Sequence, residues 1–197
     1  APGPVLFGIE NMTINVNNNN GITIGGGDRC WVKGVEISGI ANSGILFWAS
    51  SQCEARRNYI HDAYNFPSQS DGYANMFQYG NSYCRVEDSI TYRVAVGVLM
   101  NGAAANAILY NFDWYNGRAG LPWVQTSINC NHGPHGIMNL FEGNIAARFQ
   151  NDAYHGSTSH GTLFRNNFNG LHPTFTSERQ LVDLARASYY HNVIGNV

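Results

Sequence analysis

The sequence predicts an all-β solenoid of eight or so stacked coils, and three observations carry that prediction. The chain is crowded with turn residues, holding 22 Gly and 25 Asn among 197 positions. Residues that tolerate positive φ at such density imply many short turns and no long helices. An apolar-x-x-Asn frame can be laid along the chain eight times, and three of the four cysteines fall in phase with it.

The apolar positions of the frame are Ile9, Val32, Ala55, Val86, Ile108, Phe141, Phe164 and Tyr189. Three residues later stand Met12, Val35, Asn58, Ser89, Asn111, Asn144, Asn167 and Asn192, at steps of 23, 23, 31, 22, 33, 23 and 25 residues. Cys30, Cys53 and Cys84 each lie two residues before the apolar position of their repeat. Short apolar runs follow turn residues at Gly21, Gly44 and Gly97, and Asn20-Gly21, Asn101-Gly102, Asn116-Gly117 and Asn169-Gly170 are turn dipeptides. Each repeat therefore reads as two or three short strands joined by turns. One such coil cannot bury its own apolar face, but coils stacked at roughly 4.8 Å can. Asparagine suits an internal turn of such a stack, because its amide can bond the asparagine above and the one below. An antiparallel sandwich has strands of similar length but gives no reason for Asn and Cys to recur in phase. Residues 177–187 fit a short helix, with Ser177 as N-cap and Leu181 and Leu184 inward, and fit equally a strand with Val182 and Leu184 on one face.

Charge removes several functions. Only 12% of residues are charged, the net charge is −2, and Lys33 is the single lysine. No basic stripe is available for nucleic acid and no polybasic patch for a membrane surface. No apolar run reaches the length of a bilayer span, and no segment of this sequence is expected to act as a signal peptide. At 44% hydrophobic the chain is not a disordered segment. One domain spanning residues 1–197 is expected, either whole or as a segment of a longer solenoid.

The periodicity and the Asn column resemble those of the right-handed parallel β-helix, or pectate-lyase-like, superfamily over nearly the whole chain. Locally, His155 to Asn166 (HGSTSHGTLFRN) and Tyr189 to Val197 (YYHNVIGNV) are similar to segments of largely uncharacterised bacterial pectate-lyase-like proteins. The resemblance implies right-handed coiling, in keeping with the general preference of parallel crossovers. It also implies an extracellular, secreted protein whose partner is a polysaccharide, and, for an enzyme, a polysaccharide lyase or glycoside hydrolase. No cofactor is expected, save calcium for a lyase. The catalytic motifs of the superfamily do not accompany the fold. The seven Asp and six Glu are scattered, and no Asn-Thr-Asp, Asp-Asp, Gly-His-Gly or Arg-Ile-Lys motif occurs. Catalytic residues are therefore not assigned; Asp62, Asp113 and Asp152 are the least unsuited acids.

Two steps exceed the rest, so extra residues must loop outward within 61–73 and within 116–135; insertions in a solenoid often mark its binding face. Four residues beyond the Asn column stand Asp62, Arg93, Tyr115 and Arg148. Stacked in register they form a stripe, and with Trp114 they are the expected substrate-binding residues; Tyr64, Phe66 and Trp123 are near in sequence. Arginine forks match carboxylates, which favours an acidic glycan. The plainer alternative is a solvated Asp62–Arg93 pair of little energetic weight.

Cys130, His132, His135, His155 and His160 are close enough in sequence to suggest zinc, but their spacing fits no zinc module. No metal is expected, and His155 and His160 are read as turn residues bonding neighbouring coils. The in-phase cysteines fit a ladder of buried thiols and also fall within disulfide range. A different class of function is a structural or adhesive fibre subunit. Neither end of the sequence shows an amphipathic capping helix, so coil ends could stack head to tail into a homo-oligomer or filament.

Overall fold

Three long all-parallel sheets run along the molecule, and successive coils add one strand to each in sequence order, except that the eighth adds one to the first alone; a short fourth parallel sheet joins Gly136–Ile137, Thr158–Ser159 and Ser188–Tyr189. The computed structural model describes residues 3–67, 71–117, 124–130, 132–174 and 180–197. The first face has eight three-residue strands, Gly8–Glu10, Trp31–Lys33, Glu54–Arg56, Arg85–Glu87, Ala107–Leu109, Leu140–Glu142, Thr162–Phe164 and Asn192–Ile194. The second face runs from Thr13–Asn19 through Glu36–Ile40, Tyr59–His61, Ile90–Tyr92, Phe112–Trp114 and Ile145–Ala146 to Asn167–Phe168. The third runs from Ile22–Gly25 through Ser43–Trp48, Tyr73–Gln78, Val96–Asn101, Ile128–Asn129 and Phe149–Asn151 to Val182–Leu184. The chain is thus a right-handed parallel β-helix of eight coils. Val182–Leu184 takes the strand alternative; Ser177 lies outside the described residues.

Each first-face strand points one residue inward. Val32, Ala55, Val86, Ile108, Phe141 and Leu163 form a column, each no more than 1% exposed. Left-handed residues bracket these strands. Arg29, Gln52, Tyr83, Ala105, Met138, His160 and Tyr190 hold φ between 53° and 56° on one side. Asn11, Gly34, Arg57, Asp88, Tyr110, Gly143, Arg165 and Gly195 hold φ between 50° and 65° on the other. A non-glycine residue held there costs on the order of 1 kcal/mol. The stack overrides that cost because each corner must close in a fixed number of residues.

Buried side chains bond the next coil's backbone at these corners. Val35 N–H donates to Asn58 Oδ1 at 3.0 Å, Asn58 N–H to Ser89 Oγ at 3.2 Å and Ser89 N–H to Asn111 Oδ1 at 3.0 Å. The series continues from Asn111 N–H to Asn144 Oδ1 at 3.0 Å, Asn144 N–H to Asn166 Oδ1 at 3.0 Å and Asn166 N–H to Asn196 Oδ1 at 2.9 Å. A second ladder starts in sulfur. Cys30 N–H donates to Cys53 Sγ at 3.3 Å, Cys53 N–H to Cys84 Sγ at 3.4 Å, Cys84 N–H to Asn106 Oδ1 at 2.9 Å and Asn106 N–H to Asn139 Oδ1 at 3.0 Å. All four cysteines are buried free thiols.

The frame slips in its last two repeats. Phe141 pairs with Leu163 rather than Phe164, and Leu163 pairs with Val193 rather than Tyr189. The seventh and eighth ladder residues are therefore Asn166 and Asn196, not Asn167 and Asn192. The corrected step from Asn166 to Asn196 uncovers a third insertion. All three insertions connect the second face to the third, between Tyr59–His61 and Tyr73–Gln78, between Phe112–Trp114 and Ile128–Asn129, and between Asn167–Phe168 and Val182–Leu184. They occupy the third, fifth and seventh coils, and the corners of the fourth and sixth stay tight.

Candidate functional site

The insertions meet over the corner where the expected stripe was placed. Asp62, Arg93 and Tyr115 take φ of 49°, 52° and 64° on successive coils, and Gly39 precedes them in the same column at 72°. Arg93 Nη1 lies 2.9 Å from Asp62 Oδ1, and its guanidinium sits 5.5 Å from the Phe66 ring centroid. Tyr115 meets Phe66 edge-on at 5.2 Å, Tyr92 at 6.2 Å and His172, from the third insertion, at 5.1 Å. Burial holds the His172 imidazole below its ordinary pKa. Four expected residues, Asp62, Arg93, Trp114 and Tyr115, thus gather at one corner; Trp123 lies outside the described residues.

Arg148 does not join them at the surface. It is 6% exposed, and Nη2 lies 3.0 Å from Asp183 Oδ2 and 3.3 Å from Gln180 Oε1. Nη1 donates to the Val124 carbonyl at 3.5 Å. The guanidinium ties the second and third insertions to the sixth coil. Both arginines expected to read an acidic ligand thus have carboxylate partners within the chain.

The outward side of the second face carries a strip missed by sequence reasoning. Tyr59, Ile90, Phe112 and Ile145 are paired in register and are each 37% to 46% exposed. Beside them runs a second register-matched column, His61, Tyr92 and Trp114. Tyr59 stacks on His61 with centroids 4.1 Å apart. The four-coil column spans roughly 14 Å. Its signal in the sequence was the residues one and three places beyond the Asn column.

Possible proton-transfer groups are arranged differently. His61 has both ring nitrogens engaged, Nδ1 with Asp62 Oδ2 at 2.8 Å and Nε2 with Glu36 Oε1 at 3.2 Å. His132 Nδ1 lies 2.8 Å from Asp152 Oδ2, which also accepts from Asn129 Nδ2 at 2.7 Å. Burial raises the pKa of the Asp152 carboxyl, but these bonds outweigh it and hold the group below its usual range. The pair is built like a base with its orienting carboxylate. It stands beyond the third face, away from the strip, and no catalytic step is assigned to it. His135 bridges to Ser157 at 2.6 Å and Ser159 at 2.8 Å, so His132 and His135 make the coil-to-coil bonds expected of His155 and His160. His155 instead packs edge-on against His132, and His160 against Tyr190. Among the described residues no three His, Cys, Asp or Glu side chains converge as a metal site.

Asp113 is the interior anomaly. Thr91 and Asp113 occupy the inward column of the second face between Ile60 and Ala146, and Asn75 interrupts that of the third between Ile45 and Val98. Thr91 Oγ1 and Asn116 Nδ2 donate to Asp113 Oδ1, the latter at 3.2 Å. Burial pushes the Asp113 carboxyl up to about 6, against a usual 3.8. Asp113 Oδ2 and Asn75 Oδ1 are buried without a hydrogen-bond partner and belong to residues lining one small internal cavity. A Cβ on Gly97 would lie 2.4 Å from Asp113 Oδ1, so only glycine fits there.

No family model matches the chain, and neither the curated proteins nor the solved structures contain a significant match to it.

Proposed function

We propose that the protein is an extracellular polysaccharide-binding β-helix, allied to the pectate-lyase-like proteins that its sequence resembles. The glycan lies along the second face, with sugar rings stacked on Tyr59, Phe112, Tyr92 and Trp114. The observation that carries this reading is the register-matched, exposed aromatic strip beside three converging insertions. Contiguous exposed apolar surface of this kind marks a binding site, and aromatic rings offer flat apolar faces to sugar C–H groups. Arg93 and Asp62 hold the strip's edge, and Tyr115 anchors the insertions there. Binding, rather than turnover, is the activity proposed.

Calorimetry against a panel of neutral and acidic polysaccharides tests it. Trp114→Ala and Tyr92→Ala should each weaken binding about tenfold, near 1.4 kcal/mol, with the circular-dichroism spectrum unchanged. Unaltered affinity in both variants, or no binding across the panel, would refute it.

A further inference from the structure

The first face carries a cleft of about 630 Å³ over coils one to four. Its lining includes Arg29, Lys33, Arg56 and Arg85 against two carboxylates, Glu10 and Glu54. Asp28 and Glu87 border it beside Arg29 and Arg85, so among the described residues its unpartnered positive charge rests with Lys33 and Arg56. A cation pair without partners in a concavity raises the local concentration of anions.

The cations divide into two kinds. Arg85 is engaged, with Nη2 at 2.9 Å from Glu54 and Nη1 at 3.4 Å from Glu87. Arg29 pairs with Asp28 at 2.7 Å. Lys33 and Arg56 are directly opposed across adjacent parallel strands, and among the described residues neither has an ion pair. Their column neighbours are Glu10 and Glu87. Glu10 Oε1 accepts the Trp31 indole N–H at 2.6 Å, and Glu87 lies with Arg85. Arg56 Nε is moreover buried without a hydrogen-bond partner. Two like charges side by side on a sheet are unfavourable unless an anion lies between them. Trp31 and the 69%-exposed Tyr83 supply rings on the same lining.

We propose that this cleft is a second glycan site, selective for a sugar bearing a carboxylate or sulfate group that bridges Lys33 and Arg56. Acid recognition thus resides on the first face, where both cations are open, rather than at Arg93 and Arg148. The site stands independently of the aromatic strip, on another face and with other residues.

Calorimetry with polyuronate oligosaccharides, with a sulfated polysaccharide, with the methyl-esterified uronate and with inorganic sulfate tests it. The wild type should bind the uronate or the sulfated chain at least tenfold more tightly than the ester, and the preference should shrink as salt rises. The double variant Lys33→Ala/Arg56→Ala should lose at least thirtyfold, and Arg56→Lys, which removes the planar fork, an intermediate amount. Because the aromatic strip holds ester and free acid alike, the ratio of the two affinities, rather than either affinity alone, separates failure here from failure of the strip. Without ligand the double variant should melt close to wild type, since the repulsion it removes is offset by the lost attraction to the neighbouring Glu10 and Glu87. Equal binding of ester and free acid, inorganic sulfate binding as tightly as the anionic glycans, or full affinity in the double variant would each overturn the proposal.

Discussion

Replacing Asn166 and, separately, its neighbour Asn167 with alanine tests the register of the whole stack. The Asn166 side chain is fully buried. Its Oδ1 accepts from Asn144 N–H at 3.0 Å and from Asn144 Nδ2 at 2.9 Å. Its Nδ2 donates to the Phe141 carbonyl at 3.0 Å and to Asn196 Oδ1 at 2.8 Å. Alanine deletes all four bonds and leaves the buried Asn144 N–H without that acceptor. At about 1 kcal/mol net for each bond, with more for a stranded donor, Asn166→Ala should cost about 4 kcal/mol. Asn167 points outward from the second face and is exposed, so Asn167→Ala should stay within about 0.5 kcal/mol of wild type. Urea unfolding followed by far-ultraviolet circular dichroism measures both. Equal effects, or a cost below about 1 kcal/mol at Asn166, would refute the ladder as a source of stability.

Other expectations concern the interior. Because Asp113 binds its proton more tightly folded than unfolded, stability should fall as pH rises from about 4 to about 6 and level off above that, by up to about 3 kcal/mol. Asp113→Asn should flatten that dependence and raise the melting temperature at pH 7, since an amide can donate toward Asn75 Oδ1; an unchanged pH profile would contradict this. The four thiols should resist labelling in the native state at pH 8 and react fully in denaturant. Burial lifts Cys130 to about 12, while the Cys84 contact and then burial lift Cys53 well above the usual thiol range. Rapid native labelling of Cys53 would count against the sulfur ladder as described, and of Cys130 against its burial.

The coils were legible because the corner chemistry repeats in a form that composition does not disguise: Asn58, Asn111 and Asn144 and the three in-phase cysteines mark buried corners. The seventh coil was misread because Leu163-Phe164 and Asn166-Asn167 offer the same pattern twice, one residue apart. A shift of one residue exchanges inside for outside. In the eighth, Tyr189-x-x-Asn192 imitates Val193-x-x-Asn196, which absorbed the third insertion into an ordinary step. Four of the five expected binding residues came together because the left-handed corner repeats with the ladder. Arg148 departs because Asp183, 35 residues on, draws its guanidinium inward, a long-range pairing without local signal. The cleft escaped notice for a different reason. Lys33, Arg56 and Arg85 sit one residue either side of the inward column, so the frame already held them, but only strand register shows that Lys33 faces Arg56 while Arg85 faces Glu54.

The placement of the three longest connections at a single corner concentrates variation in one part of the molecule. Between the first and second faces the count is fixed, and the return from the third face to the first varies by at most four residues, eight from Leu99 to Ala107 and twelve from Gln150 to Thr162, with the strands still in register. Between the second and third faces, segments of differing length are accommodated on alternate coils while the tight turns of the fourth and sixth keep the spacing. That edge is an exchangeable rack: loops swapped there could diversify what the surface grips while leaving the folding core untouched.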